Sequence, residues 1–393
     1  MVTAPSRPVA PVKILFLIDE IGQLDGGGTE RQVLQLIRLA KRLGYKPSLA
    51  TLRGTEWLTG ERAGCPIYHA GATSLFRPAG WLQMLRLRNW VRAGGFSVVQ
   101  TFFVECNVLG PWVARRAGVP VVIGSRRNLN QWQSRTRWMG PFIAQMQRLA
   151  NRSVDCIVGN SERVIDAVVE TERVPRAITR VAYNGIDLTR FSGLEAKRAE
   201  ARQRIGAAPD DIVVGNISCM RPVKGIDRFV DVARIILAQD PGMRFLIVGS
   251  GPQEPYILEQ IERYGLTGQI HLAGAQLDVT PYLAAMDIGV LSSFAEGFSN
   301  SLLEYMASGL GIVATDVGGN REALGDAGVL VTAEDPQALA DAILTLRPAE
   351  ERQRLGNSAR RRVERFSLSR AEDAMEQIYS ELLSSKGMTP GRN

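Results

Sequence analysis

The sequence predicts an α/β protein built as two doubly wound, parallel-sheet domains in tandem. Three observations predict it. Short runs of β-branched and aliphatic residues alternate with longer helical patterns through both halves of the chain. Most of those runs are continuously apolar, as expected for strands covered on both faces. The 393 residues exceed one ordinary core and suit two domains of roughly 180 residues each.

In the first half the strand candidates are 12–18, 47–52, 98–101, 119–124, 154–159 and 178–182, with helical stretches such as 30–43 between them. In the second half they are 212–217, 244–248, 270–273, 288–291 and 311–315. Asn184-Gly185-Ile186-Asp187 is a turn signal, and the charged stretch 195–204 follows it. The boundary is therefore expected at Asp187, giving domains 1–187 and 188–365. Leu368, Ala371, Met375, Ile378 and Leu382 recur at three and four residues, one face of a final helix over 367–383 that Ser367 can cap. This last segment, 366–393, stands apart from both domains.

Composition narrows the classes. Hydrophobic residues make up 45%, enough for a sizeable core. The only histidines are His69 and His271, which argues against a His-rich metal site. Cys65, Cys106, Cys156 and Cys219 form no C-x-x-C pair and lie in or beside apolar runs. They are expected as buried, reduced thiols, which suits a cytoplasm. Residues 1–11 carry three prolines and lack the apolar core of a signal peptide, and no stretch of about 18 apolar residues exists to span a membrane. Charge is uneven. Residues 1–187 hold 25 Lys/Arg against 13 Asp/Glu, and the remainder 22 against 27. The first half is therefore expected to face something acidic, although a plain solvated surface also fits.

Two tandem domains of this kind put a ligand cleft at the carboxyl ends of their sheets, near helix N-termini that attract phosphate. Dehydrogenases, epimerases and periplasmic-type binding proteins fit the same pattern. Four pieces bear on the choice. Gly26-Gly27-Gly28-Thr29-Glu30 lies between the first strand and the first helix, where glycines let a ligand approach the backbone; a tight turn is the alternative. Arg221-Pro222-Val223-Lys224-Gly225 follows a strand, and its two cations could neutralise the diphosphate of a departing group; a solvated basic loop is the alternative. Val248-Gly249-Ser250-Gly251-Pro252 links a strand to a helix with small residues.

The fourth piece runs from Glu296 through Gly297, Phe298, Ser299, Asn300 and Ser301 to Glu304. Glu296 follows a buried strand, and Glu304 falls in the first turns of the next helix. That helix start could cradle a diphosphate, with Glu304 on ribose hydroxyls and Glu296 on a sugar. Against this, Ser301-x-x-Glu304 matches a capping box, in which the glutamate merely satisfies a backbone N–H.

Taken in order, these pieces resemble the retaining glycosyltransferases of family four, also called group 1, which have the GT-B fold of two Rossmann-like domains facing across a cleft. EGFSNSLLEYMASG carries the Glu-x7-Glu signature, Ala314–Gly319 follows it, and Asn184–Asp187 is similar to the family's interdomain signature. The likeness spans about 12–385 and is strongest over 181–331. It implies a nucleotide-diphosphate sugar donor, UDP- ahead of GDP-, and a glycan or lipid-linked acceptor. Arg221, Lys224 and Glu296 become the catalytic set. Gly249, Gly251, the 297–301 segment and Glu304 become donor-binding, and Gly27 and Gly28 close on the phosphates from the other domain. The final helix crosses back to the first domain. Many members carry a histidine after the fifth strand. Here that segment reads Gly124-Ser125-Arg126-Arg127-Asn128, so Arg126 stands in its place. Glu30, Arg126 and Arg127 are expected on the acceptor side.

No Asp-x-Asp triplet occurs, so no metal and no cofactor are expected, and cationic side chains with helix N-termini take over the metal's charge. Front-face transfer, implied by the resemblance, needs no enzymic base. The segments 76–92 and 126–152 mix arginines with Trp81, Trp90, Trp132 and Trp138, which predicts peripheral contact with an anionic membrane, on its cytoplasmic face. Nucleic acid is not expected. A GT-B-type sugar-nucleotide epimerase and a non-catalytic nucleotide-sugar binder are the competing readings. The first suffers from the shortage of histidine, and the second from the complete Arg221, Lys224, Glu296 and Glu304 set.

Overall fold

The computed structural model describes residues 11–22, 27–55, 57–71, 78–129 and 140–388. The chain forms two compact units, one of residues 1–182 with 371–393 and one of residues 183–370. The division falls five residues before Asp187, and the terminal helix is shared between the units by sequence, leaving the second unit at Arg370.

The first unit holds a seven-stranded, all-parallel sheet. Its strands are β1 (Lys13–Ile18), β2 (Lys46–Thr51), β3 (Ile67–His69), β4 (Val98–Phe102), β5 (Val121–Arg126), β6 (Cys156–Gly159) and β7 (Thr179–Val181). The order is β3-β2-β1-β4-β5-β6-β7. Both faces of β1 are buried by alternation. Ile14, Phe16 and Ile18 pack with Val33 and Ile37 of helix Gly28–Arg42, and with Met375, Ile378 and Tyr379 of the terminal helix Leu368–Ser384. Leu15 and Leu17 pack on the opposite face with Leu87 of helix Pro78–Gly94 and Cys106 of helix Val104–Ala117. The terminal helix therefore supplies part of this unit's core, through the apolar face that its periodicity marks.

The second unit holds a six-stranded parallel sheet of β8 (Ile212–Ile217), β9 (Met243–Val248), β10 (Ile270–Leu272), β11 (Ile288–Leu291), β12 (Gly311–Thr315) and β13 (Val329–Val331). The order is β10-β9-β8-β11-β12-β13. Val213 faces Tyr305 and Leu302 on one side, and Val214 faces Phe229 and Ile236 on the other. Strand order reverses between β8 and β11, which opens a crevice beyond their carboxyl ends.

β3 and β13 go beyond the sequence expectation. The cysteine expectation holds for Cys65, Cys106 and Cys156 but fails for Cys219, which is exposed. The chain turns outward after β8, and the next side chain, Met220, takes the buried position instead. Among the described residues no helix is long and apolar enough to cross a membrane.

Candidate active site

Two loops flank the switch point of the second unit. After β8 the chain runs along the neighbouring β9 loop, with Ser218 N–H donating to Val248 O (3.0 Å) and Met220 N–H to Ser250 O (2.9 Å). A Cβ on Gly249 or Gly251 would collide with the Ser218 or Met220 backbone. These glycines let two protein loops touch, whereas the sequence reading gave them to the ligand. Pro222–Lys224 then forms one 3-10 turn. Gly225 follows at φ 60°, where a side chain would strike the Ser292 carbonyl. The β8 and β11 loops are further laced by Phe294 N–H to Val223 O (2.8 Å) and Ser292 Oγ to Gly225 O (2.8 Å).

That lacing brings Lys224 to Glu296. Lys224 Nζ lies 2.7 Å from Glu296 Oε1, and Ser293 Oγ donates to the same oxygen at 2.6 Å. Glu296 is 7% exposed, so these charged hydrogen bonds offset its loss of water. Thr315 Oγ1 holds Ser293 O (2.6 Å), and Gly319 N–H donates to Gly297 O (3.0 Å). Gly318, at φ 55°, has the Glu296 carbonyl where a Cβ would be. Arg221 is exposed and makes no ion pair among the described residues.

Helix Asn300–Ser308 begins beside this pair. Ser299 caps it, accepting from Leu302 N–H at 3.3 Å. Ser301 instead donates to Ile217 O (2.6 Å), and Tyr305 OH accepts from Ile217 N–H (2.7 Å). The capping-box alternative therefore fails: Ser301 is not the cap, and Glu304 stands more than a turn inside the helix, buried. Phe298 is also buried, packed in an aromatic cluster with Tyr183 and Phe366. Its ring is taken up by that cluster, while its backbone borders the helix start.

In the first unit Gly27 precedes helix Gly28–Arg42, and Glu30 bends back toward it, with Oε2 3.0 Å from where a Gly27 Cβ would stand. Gly26 lies outside the described residues. Arg126 departs from its expected acceptor-facing role. It ends β5 pointing inward, ion-paired to Glu172 at 2.8 Å and bonded to Asn151 (2.9 Å), with 7% exposure. Arg127 is half-buried, and Asn160 Nδ2 donates to its carbonyl (3.2 Å). The sequence reading missed Asp19. Its buried carboxylate, at the end of β1, accepts from Cys106 N–H (2.8 Å) and Glu105 N–H (3.3 Å) at the start of helix Val104–Ala117. Burial pushes its pKa up to about 6.

Residues 26–190 match the model of Glycosyltransferase Family 4, and residues 209–347 that of Glycosyl transferases group 1. A D-inositol 3-phosphate glycosyltransferase of Saccharomonospora viridis is 30% identical over 329 residues, covering 76% of this chain and 73% of the relative. The chain belongs to glycosyltransferase family four. A lipopolysaccharide core biosynthesis mannosyltransferase, LpsB of Rhizobium meliloti, is 29% identical over 238 residues, covering 56% of the chain and 67% of LpsB. The fold is similar to that of Anabaena Alr3699/HepE in complex with UDP-glucose, with TM-score 0.80, 22% identity, and 94% and 99% of the two chains covered. It is also similar to that of WaaG, a glycosyltransferase involved in lipopolysaccharide biosynthesis, with TM-score 0.74, 16% identity, and 93% and 99% covered. The chain has the GT-B fold, with two parallel-sheet α/β domains. In this family-four glycosyltransferase, Ser293, Thr315 and Gly318 hold Glu296 in place without belonging to the signature. Thr315 and Gly318 fall in the Ala314–Gly319 stretch that the sequence marks, and Ser293 does not.

Proposed function

We propose that this glycosyltransferase moves a hexose from a nucleoside-diphosphate sugar, UDP- before GDP-, to a glycan or lipid-linked acceptor in glycolipid or polysaccharide biosynthesis, with retention and without a metal. The observation that carries the reading is the Lys224–Glu296 pair at the switch point, beside the N-terminus of helix Asn300–Ser308. Both bonds to Glu296 fall on Oε1, which leaves Oε2 for a sugar hydroxyl. Lys224 and Arg221 meet the diphosphate, and the helix start offers backbone N–H donors to the same charge. Glu304 takes the ribose hydroxyls. In the first unit, the start of helix Gly28–Arg42 offers amides at Gly27 and Gly28 in the same way. As the bond from the anomeric carbon to the β-phosphate oxygen breaks, negative charge grows on the phosphate. Preorganised cations then favour the transition state over the bound donor. The acceptor oxygen attacks on the same face and passes its proton to the departing phosphate. Support comes from Alr3699/HepE, whose complexes hold UDP and UDP-glucose.

The test is donor hydrolysis and thermal shift with UDP, GDP and ADP. A ligand at 100 times its Kd stabilises by about 2.7 kcal/mol. Slow release of sugar from one nucleotide sugar supports the reading. Interconverted sugars would make the protein an epimerase, and binding without turnover would make it a carrier.

The acceptor reading extends to an anionic membrane surface. Helix Pro78–Gly94 exposes Leu82 (62%), Leu85 (47%), Arg86 and Arg92 on one face, and Phe142 of helix Gly140–Asn151 is 56% exposed. Trp132 and Trp138 lie outside the described residues. Sedimentation with anionic vesicles should fall steeply as salt rises. Binding indifferent to lipid charge would remove the electrostatic account.

A further inference from the structure

Tyr183 and Asn184 are the first residues of the second unit, and their side chains are spent on the loop that carries the Glu-x7-Glu signature. Asn184 is 3% exposed. Its Nδ2 donates to Phe298 O at 3.0 Å and to Asn300 Oδ1 at 2.7 Å. Tyr183 packs its ring 5.2 Å from both Phe298 and Phe366. Its hydroxyl donates to Glu322 Oε1 at 2.5 Å, on the short helix that follows Gly318-Gly319. The return crossing is tied in as well, because Ile186 N–H donates to Phe366 O (3.0 Å) and Leu368 N–H to Ile186 O (2.8 Å).

We infer that Asn184 is a positioning residue for the donor diphosphate, and that Tyr183 supports it. This role presupposes a nucleoside-diphosphate sugar donor in the second unit. The phosphate-facing part of the site is backbone, namely the amides at the start of helix Asn300–Ser308. Backbone donors are useful only if their direction is fixed beforehand. Ser299 fixes the helix side of that start through its cap. On the other side, the Phe298 carbonyl and the Asn300 side chain are held by one amide group, Asn184 Nδ2. An amide group can supply two such bonds in fixed geometry because it carries two N–H donors on a planar frame. Loss of that group lets peptide 298–299 rotate and turns the helix-start amides off the phosphates. Glu304, a turn further along the helix, keeps its place through the neighbouring Tyr305 hydroxyl bonded to Ile217. Nucleoside recognition is thus separable from diphosphate recognition.

The experiment compares UDP and uridine affinity in wild type, Asn184→Ala, Tyr183→Phe and Glu304→Ala, together with donor KM and kcat. Asn184→Ala is expected to weaken UDP by about tenfold, the scale of losing a buried hydrogen-bond donor, and to leave uridine affinity unchanged. Donor KM should rise with kcat little altered, since ground and transition states lose the same contact. Tyr183→Phe should give a smaller shift in the same direction. Leu339→Ala, a buried leucine in a separate part of the core, supplies a melting-matched control that should leave the UDP to uridine ratio intact. If Asn184→Ala lowers melting as that control does but keeps the ratio, the residue is structural only and the inference falls. If wild type binds no nucleoside diphosphate, or Glu304→Ala binds it normally, the donor reading itself fails first, and the two failures are told apart.

Discussion

Replacing Lys224 by alanine tests the chemistry most directly. The ammonium lies 2.7 Å from Glu296 Oε1, with the lysine side chain 26% exposed and the glutamate 7%. Two consequences follow. Glu296 keeps only the Ser293 hydroxyl on that oxygen, so the folded state carries a buried carboxylate with one bond fewer, a cost of about 1–3 kcal/mol. The diphosphate also loses a fixed cation whose value grows as charge develops on the leaving oxygen. That loss should lower turnover by about 10²–10³, or about 2.7–4 kcal/mol. On the proposed donor reading UDP binding should fall much less, because Arg221 and the helix start would still meet the ground-state diphosphate. The assay is steady-state donor hydrolysis beside isothermal titration of UDP. Glu296→Gln in the Lys224→Ala background separates the two effects. It removes the stranded charge and should restore melting, while turnover should stay well below that of Glu296→Gln alone, which controls for the loss of the carboxylate itself. Normal turnover in Lys224→Ala, or turnover that recovers together with melting, would refute the electrostatic role.

Glu304→Gln keeps the side chain's size and leaves the Ser299 cap in place, and it should lose roughly tenfold in nucleotide affinity through a weaker charged bond to ribose. Unchanged affinity in titration would take Glu304 out of the site. Native-state alkylation at pH 8, followed by mass spectrometry, should modify Cys219 and spare the other three, since Cys219 is exposed while burial raises Cys65 to about 11 and Cys156 to about 12, and Cys106 is raised too. UDP should slow it, and equal labelling of all four thiols would contradict the fold around them. Asp19, at about 6 in the folded protein against 3.8 unfolded, binds its proton more tightly when folded. Its stabilising contribution is therefore complete below pH 3.8 and is lost as pH rises through about 6, an effect on the order of 3 kcal/mol. The stability difference between wild type and Asp19→Asn should shift in favour of wild type between pH 7.5 and pH 5, and a difference flat with pH would rule this out.

The expected strands map onto β1, β2, β4 to β12 within a few residues. They were legible because a parallel strand buried on both faces writes a continuous apolar run, as KILFLI does for β1. β3 and β13 left no such run. Each has three residues and lies at a sheet edge, and all six of their side chains are half-buried or exposed. An edge strand of that length is specified by pairing with its neighbour, Ile67 opposite Leu49 and Val329 opposite Val313, and pairing is not written in local pattern. The same limit explains Cys219. A residue beside an apolar run is buried only while the strand continues, and β8 stops at Ile217.

The site divides along a similar line. Lys224 and Glu296 are 72 residues apart in sequence, yet each was visible as a charge at the end of a buried strand. Parallel topology brings such ends to one edge without further instruction. Residues that act by holding others were not visible. Gly249 reads as ligand-facing when only composition is known, because a glycine's purpose depends on what lies opposite its missing Cβ, here the Ser218 carbonyl. Arg126 reads as an acceptor-side cation until Glu172, 46 residues on, closes a buried pair with it. Such a pair is strongly destabilised by removing one partner alone, by about 3–5 kcal/mol. A damaged Arg126 variant would therefore lose activity through folding, and would mimic a catalytic residue in any assay that omits melting. For this chain, the sequence shows the charges at the ends of buried strands, and the fold shows the neutral and paired groups that hold them.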